Sequence, residues 1–329
     1  MLRSLPAAFV FVLTATSADA QVAIGRLLGT VTYTLPNTSY PQTIRLTGWV
    51  AYLDIAGGRL QPIVTPPLAE GCPSPNDVRL QTTVAFAQAS RTVVAINANL
   101  GPGLSTYVPG TCGQPYGFLV SNGSVVNAFQ PNGPTLAFTA NTSATISAPP
   151  AAPPKTTYAV AGWAGTNGTG TLLVVPSQSG PQVGSNILPA SSTIAPRVGA
   201  GITADGTLLI LAMIDGLEPN LGLQNPDFGN VMIGLGANAA VNLDGGGSST
   251  FVFVPPPGAT LKVPAAARAL MTKAGAPAGA GNGLWFSIVD RALTRPWISD
   301  PPCATPCAYR AIYANLGFVL AGGGATRTR

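Results

Sequence analysis

Histidine is absent from the 329 residues. That excludes a Ser-His-Asp triad, a Cys-His dyad and any histidine general base. Charge is scarce as well: Asp, Glu, Lys and Arg together make up 8% of the chain. Lysine occurs only as Lys155, Lys262 and Lys273, so the net charge of +5 reflects few acids rather than many bases. There is no basic run and no basic patch interleaved with aromatics, which argues against nucleic-acid binding. Acid–base or nucleophilic chemistry must then fall on carboxylates, tyrosine, lysine or cysteine. Only eleven carboxylates exist, and one of them, Asp19, lies in a leader-like segment.

Long apolar runs are also missing. Ala7 to Leu13 form a short apolar stretch after Arg3, and Ala18-Asp19-Ala20 fits a small-x-small cleavage pattern. Residues 1–20 therefore read as a secretory signal peptide, with Gln21 the first mature residue. The stretch is well below the roughly 20 residues that span a bilayer. The expected location is secreted or periplasmic, with no stable membrane span. The four cysteines, in an exported chain, suggest disulfides. Three pairings are open; Cys72 with Cys112 and Cys303 with Cys307 are preferred, because each pair lies in one local stretch. Without histidine and with poor ligand spacing, a zinc site is disfavoured. No metal and no cofactor is expected.

Glycine and proline are plentiful, at 39 and 32 residues, and 46% of the chain is hydrophobic. This composition points to many short strands with turn-rich connections, not to disorder. The expected fold class is α+β: a mixed, β-sheet-rich single domain over residues 21–321, with short helices and a frayed tail at 322–329. A helix is expected over 77–89 behind Asn76 as N-cap. A second, over 226–236, is opened by Asn225-Pro226-Asp227, with Asn as cap, Pro in the first turn and Asp at the positive end of the dipole. Apolar strands are expected over 45–55, 92–97, 207–214 and 239–243, with closing strands over 284–289 and 311–320. Asn122-Gly123 between Phe118-Leu-Val and Val125-Val126 predicts a hairpin. The run Ala-Pro-Pro-Ala-Ala-Pro-Pro at 148–154 reads either as an interdomain linker or as a surface loop. The loop is preferred, since motifs on both sides of it contribute to one site.

The most unusual segment is Asn242-Leu-Asp-Gly-Gly-Gly-Ser-Ser-Thr250. Side chains alternate along a strand, so Asn242 and Asp244 are expected on one face and Val241 and Leu243 on the other. Gly245, Gly246 and Gly247 would let the backbone approach a ligand and present N–H groups to it. Ser248 and Ser249 add short hydroxyls. The pattern suits an anionic or sugar ligand. It is not a P-loop, because no lysine follows the glycines. Nor is it a nucleophile elbow, because Thr250 stands where the second glycine would be.

This segment resembles the signature of the phosphodiester glycosidase domain family. Further segments match in order: Ala95-Ile96-Asn97, Pro115-Tyr-Gly117, Asn122-Gly123, Pro196-Arg197 to Ile202, Asp205-Gly206, Asp215-Gly216, Leu235-Gly236-Ala237 and Tyr309-Arg310 to Asn315. The sequence departs from the family at two places. Ala98-Asn99-Leu100-Gly101 replaces a pair of glycines and a pair of aromatics. Asp227 stands where the family usually carries Glu, one methylene longer.

The resemblance implies hydrolysis of a sugar-1-phosphodiester at the anomeric carbon in an envelope or extracellular glycan. The phosphodiester is already a good leaving group, so little general-acid help is needed. It implies Asp244, Asp227 and Asp215 as catalytic candidates, with Glu218 a substitute for Asp227. Arg197 is the candidate phosphate grip. Asn97, Asn242 and the Gly245–Ser249 loop are the candidate sugar and phosphate contacts. The expected partner is a sugar-phosphate or glycan substrate. The two departures support a second reading: a non-catalytic exported carbohydrate-binding or surface protein that retains the fold.

Overall fold

The structure is a computed structural model. It describes residues 10–15, 22–34, 41–67, 71–103, 107–128, 133–139, 143–148, 150, 156–162, 172–184, 194–215, 222–253, 286–289 and 310–321. Most of the regular structure is β. An eight-stranded sheet runs in the order β1 (Val10–Ala15), β2 (Val22–Thr34), β3 (Pro41–Asp54), β16 (Leu208–Ile214), β15 (Arg197–Ile202), β17 (Ala239–Asn242), β13 (Val174–Val175), β14 (Gln182–Val183). A five-stranded sheet runs β19 (Phe286–Val289), β18 (Thr250–Phe253), β6 (Val94–Asn97), β20 (Asn315–Leu320), β4 (Leu60–Val64). Another five-stranded sheet runs β11 (Ala144–Ser147), β10 (Thr135–Phe138), β12 (Tyr158–Ala161), β8 (Leu119–Ser121), β9 (Ser124–Asn127). A two-stranded ribbon pairs β5 (Val78–Arg79) with β7 (Cys112–Gly113).

The expected mixed sheet needs correction: every strand pairing among the described residues is antiparallel. Apolar runs show that a segment is a strand; they do not say which neighbour it pairs with or in which direction. The segment at 148–154 lies between β11 and β12, and both of those strands pair with β10. The chain on either side of the prolines thus belongs to one sheet.

Alternation sets the layers. In β16, Ile210, Ala212 and Ile214 join the core under a helix, α2 (Asn225–Gly234), while Leu209, Leu211 and Met213 join the core shared with both five-stranded sheets. Gly199 and Gly201 of β15 leave room for Phe228 and Met232 of α2; a Cβ at either would lie within 3.0 Å of those side chains. On the far side, α1 (Thr83–Ser90) packs Phe86 and Ala87 against Ala95 and Val252, whose strand neighbours Val94, Ile96, Phe251 and Phe253 face inward.

Both helix starts differ from expectation. Thr82, not Asn76, caps α1: its Oγ1 accepts from Ala85 N at 3.0 Å. The residues before it are used otherwise. Asp77 closes a turn by accepting from Ser74 N, and Val78-Arg79 pair with Cys112-Gly113. The Cys72–Cys112 disulfide pins that ribbon. The cap of α2 is Gln224, with Pro226 in the first turn. The Asn122-Gly123 hairpin is as expected, both residues having positive φ (50° and 77°), as a type I′ turn requires. Cys303, Cys307, Glu218 and the tail at 322–329 lie outside the described residues. Within the leader-like segment, Val10–Ala15 form the outermost strand and pair with β2. Among the described residues no helix is long and apolar enough to cross a membrane.

Candidate active site

The signature joins two sheets. Leu243 N still bonds Val198 O of β15 at 2.8 Å, whereas Asp244 N bonds Ala98 O, just past β6, at 2.8 Å. Three residues of backbone then turn through a single 3-10 turn, Gly246–Ser248, into β18. Asn97 spans the mouth of this loop. Its Nδ2 donates to Asp244 O at 2.6 Å, and its Oδ1 accepts from Thr250 N at 2.9 Å. Asn97 is fully buried, and both polar side-chain atoms hold the signature closed.

Backbone hydrogen bonds shape the glycine turn. Gly246 N donates to Pro196 O at 3.0 Å, Ser248 N to Gly245 O and Ser249 N to Gly246 O. The Gly246 N–H ties the turn to Pro196, and the Ser248 and Ser249 N–H groups close it, so that the chain reverses within a few residues. Gly246 has φ +60°, and a Cβ on Gly245 would stand 2.8 Å from Pro196 O. Glycine is needed at both positions for chain reversal and close backbone approach.

Asp244 sits inside this turn, 6% exposed. Burial pushes its pKa up to about 7, against the lowering effects of the Ser248 hydroxyl, the Arg310 charge and the Gly245 N–H. Arg310 Nη1 donates to Ser248 Oγ at 3.4 Å, and its guanidinium lies 3.7 Å from the centroid of the Tyr107 ring. Tyr313 is held by a hydrogen bond from its hydroxyl to Pro102 O and packs against Gly101 and Gly113. Burial raises the Tyr313 pKa, and Tyr107, Tyr116 and Asp244 lie close enough to raise it further. Asn99, also buried, donates to Tyr116 O and Phe118 O and accepts from Ala161 N. It fixes the segment that carries Tyr116.

The remaining candidates gather at the neighbouring end of the eight-stranded sheet. Arg197 opens β15 opposite Ile214, and Asp215 follows directly after it. Asp215 accepts from Thr47 Oγ1 at 3.4 Å and is 8% exposed. Arg197 Nε donates to Leu223 O at 2.8 Å, just ahead of α2, and Asp227 is half-buried in the first turn of that helix. Asn242 pairs with Gly199 on β15. Its Oδ1 and the Ser249 Oγ are buried with no hydrogen-bond partner. The two groups meet at the backbone of Pro196-Arg197: the Arg197 Cα lies 3.9 Å from where a Cβ on Gly245 would be.

Arg310, Tyr107, Tyr116 and Tyr313 were not among the candidates. Tyr116, Arg310 and Tyr313 stand in two of the segments that carry the family resemblance, and that was the available signal.

The candidate site is thus a buried carboxyl whose pKa burial pushes up, set beside Ser248, Arg310 and Tyr313 at a junction of antiparallel sheets. The chain belongs to the phosphodiester glycosidase family, whose model matches residues 85–276. The fold is similar to that of a zebrafish N-acetylglucosamine-1-phosphodiester alpha-N-acetylglucosaminidase catalytic domain, auto-inhibited by its pro-peptide. That match has TM-score 0.55 and 14% identity, and covers 95% of this chain and 88% of that one. It is also similar to a putative exported protein from Burkholderia pseudomallei, with TM-score 0.52 and 12% identity over 94% of this chain and 96% of the other. No curated protein sequence matches the chain.

Proposed function

We propose that the protein hydrolyses a sugar-1-phosphodiester at the anomeric carbon, in an envelope or extracellular glycan reached after cleavage of the leader. The observation that carries this reading is Asp244, a carboxyl whose pKa is pushed up to about 7 at the junction of two sheets. Near neutrality a substantial fraction of it is ionised, as a general base must be. In the proposed step the anomeric carbon–oxygen bond breaks and the phosphate leaves with the electron pair as a monoester. A water oxygen bonds to the anomeric carbon, and its proton passes to Asp244. Asp215 and Asp227 stand at the adjoining sheet end, where negative charge stabilises an oxocarbenium-like transition state.

The test is release of free reducing sugar from methyl diesters of hexose 1-phosphates, run in ¹⁸O-labelled water. Label should enter the sugar and not the phosphate, and Asp244→Asn should reduce the rate at least ~100-fold. Label in the phosphate would refute attack at the anomeric carbon. The shorter carboxylate of Asp227, and a signature loop in which the N–H groups of Gly246, Ser248 and Ser249 are taken by backbone carbonyls, favour a second reading. That reading is an exported carbohydrate-binding protein, recognised by sugar-phosphate binding without release of sugar.

A further inference from the structure

We infer that Arg310, held on Tyr107 and linked to Asp244 through Ser248, is the residue that grips the anionic phosphate of the ligand, in place of Arg197. This rests on the reading of the site as one for a sugar phosphate. It names the recognition residue, which neither the family match nor the signature assigns.

Three observations lead to it. The first is geometry. The Arg310 guanidinium lies 3.7 Å from the Tyr107 ring centroid, and its Nη1 reaches Ser248 Oγ at 3.4 Å. Stacking on an aromatic face fixes the plane of the fork before any ligand arrives. The second is position. Ser248 bonds both Arg310 and the Asp244 carboxyl, so one hydroxyl separates the cation from the proposed base. An anion held there leaves its anomeric carbon within reach of Asp244. The third is exposure. Arg310, Tyr107 and Tyr116 are half-buried, so this side of Asp244 remains accessible, whereas Asp244 and Ser248 are nearly closed off. Arg197 is 9% exposed, and its Nε is used on the Leu223 carbonyl. Its place in the fold is to tie β15 to the start of α2.

The aromatic surround also bears on ligand class. Tyr107 backs the cation, Tyr313 is buried and Tyr116, beside Tyr313, is half-buried, so Tyr116 is the ring left for the apolar face of a pyranose while its phosphate meets the guanidinium. The class recognised is therefore a hexose carrying a phosphate at its anomeric carbon, rather than free phosphate or a neutral glycoside.

The experiment is calorimetric titration of the full mature chain with glucose 1-phosphate, inorganic phosphate and methyl glucoside. Variants are Arg310→Gln, Arg310→Lys and Arg197→Gln, each checked by thermal melting. Glucose 1-phosphate should bind most tightly to the wild type. Arg310→Gln should weaken it at least ~30-fold and Arg310→Lys by an intermediate factor, since lysine keeps the charge and loses the planar fork. Arg310→Gln should also move the limb of the pH–rate profile set by Asp244 to higher pH, because the lost positive charge had been lowering that pKa. A larger binding loss in Arg197→Gln than in Arg310→Gln would overturn the assignment, as would a wild type that binds none of the three. Arg310-dependent binding in a chain that releases no sugar from the methyl diesters would leave the assignment standing and refute the hydrolase reading.

Discussion

Asp244 is held in an environment that opposes its own ionisation, and this has a stability consequence as well as a catalytic one. Its pKa is raised in the folded chain to about 7 from the ordinary carboxylate value of 3.8. Between those values the folded state binds more protons than the unfolded state, so stability falls as pH rises from about 4 to about 7 and stays reduced above that. Asparagine has no charge to desolvate. Asp244→Asn should therefore melt at a higher temperature than the wild type at pH 8 and at nearly the same temperature at pH 4, while losing hydrolysis. Paired thermal melts at the two pH values check this, and an equal shift at both would mean that ionisation is not the cause. Asn97 makes the opposite case. Its carboxamide satisfies Asp244 O and Thr250 N, both inside the protein. Asn97→Ala leaves two buried backbone groups unpaired and should cost about 2–4 kcal/mol in denaturant titration. A loss below about 1 kcal/mol would show that the loop holds itself.

At the scale of elements, the ribbon of β5 and β7 supports the site from beneath. Cys112 is bonded to Cys72, and the next residue, Gly113, packs on the Tyr313 ring. A Cβ on Gly113 would lie 2.6 Å from Tyr313 Cε1, so Gly113→Ala should displace that ring and lower kcat more than it lowers stability. Replacing both cysteines by serine should cost about 2–4 kcal/mol through the freed loop. It should also raise KM, because Tyr107 and Tyr116 flank the ribbon strand. Unchanged KM in a folded double-serine variant would separate the ribbon from the site. These elements differ in how readily the sequence betrays them. The strand Leu208–Ile214 and the Asn122-Gly123 hairpin are plain from a continuous apolar run and from a dipeptide suited to positive φ. The start of α1 is not, because Asn76-Asp77 has cap chemistry but spends it on a turn tied to a distant disulfide partner. Asp244 stands out through its own nine-residue context. Arg310 is brought to Asp244 by the pairing of β20 with β6 and by the bonds of Ala311 and Ile312 to Tyr107 and Gln81, and pairing partners leave no mark in local periodicity.

On the scale of the whole molecule, the site is also a seam. Leu243 belongs to the eight-stranded sheet, Asp244 bonds the end of β6, and β18 continues into the five-stranded sheet. One large apolar core lies between these sheets and includes residues from β3, β6, β16, β18 and β20. Neither sheet can leave the other without exposing that core and breaking the signature, so the two should unfold together. Among the described residues before Gln21, Val10–Ala15 form an edge strand paired with β2, so a chain starting at Gln21 should retain the same transition. A ligand bound at the seam then stabilises everything at once, by about 2.7 kcal/mol at one hundred times its dissociation constant. Differential scanning calorimetry of the mature chain should show a single transition with equal calorimetric and van't Hoff enthalpies. Glucose 1-phosphate should move that whole transition upward without splitting it. Two transitions, of which only one responds to the sugar phosphate, would mean that the sheets are independent units and that the signature is not the joint between them.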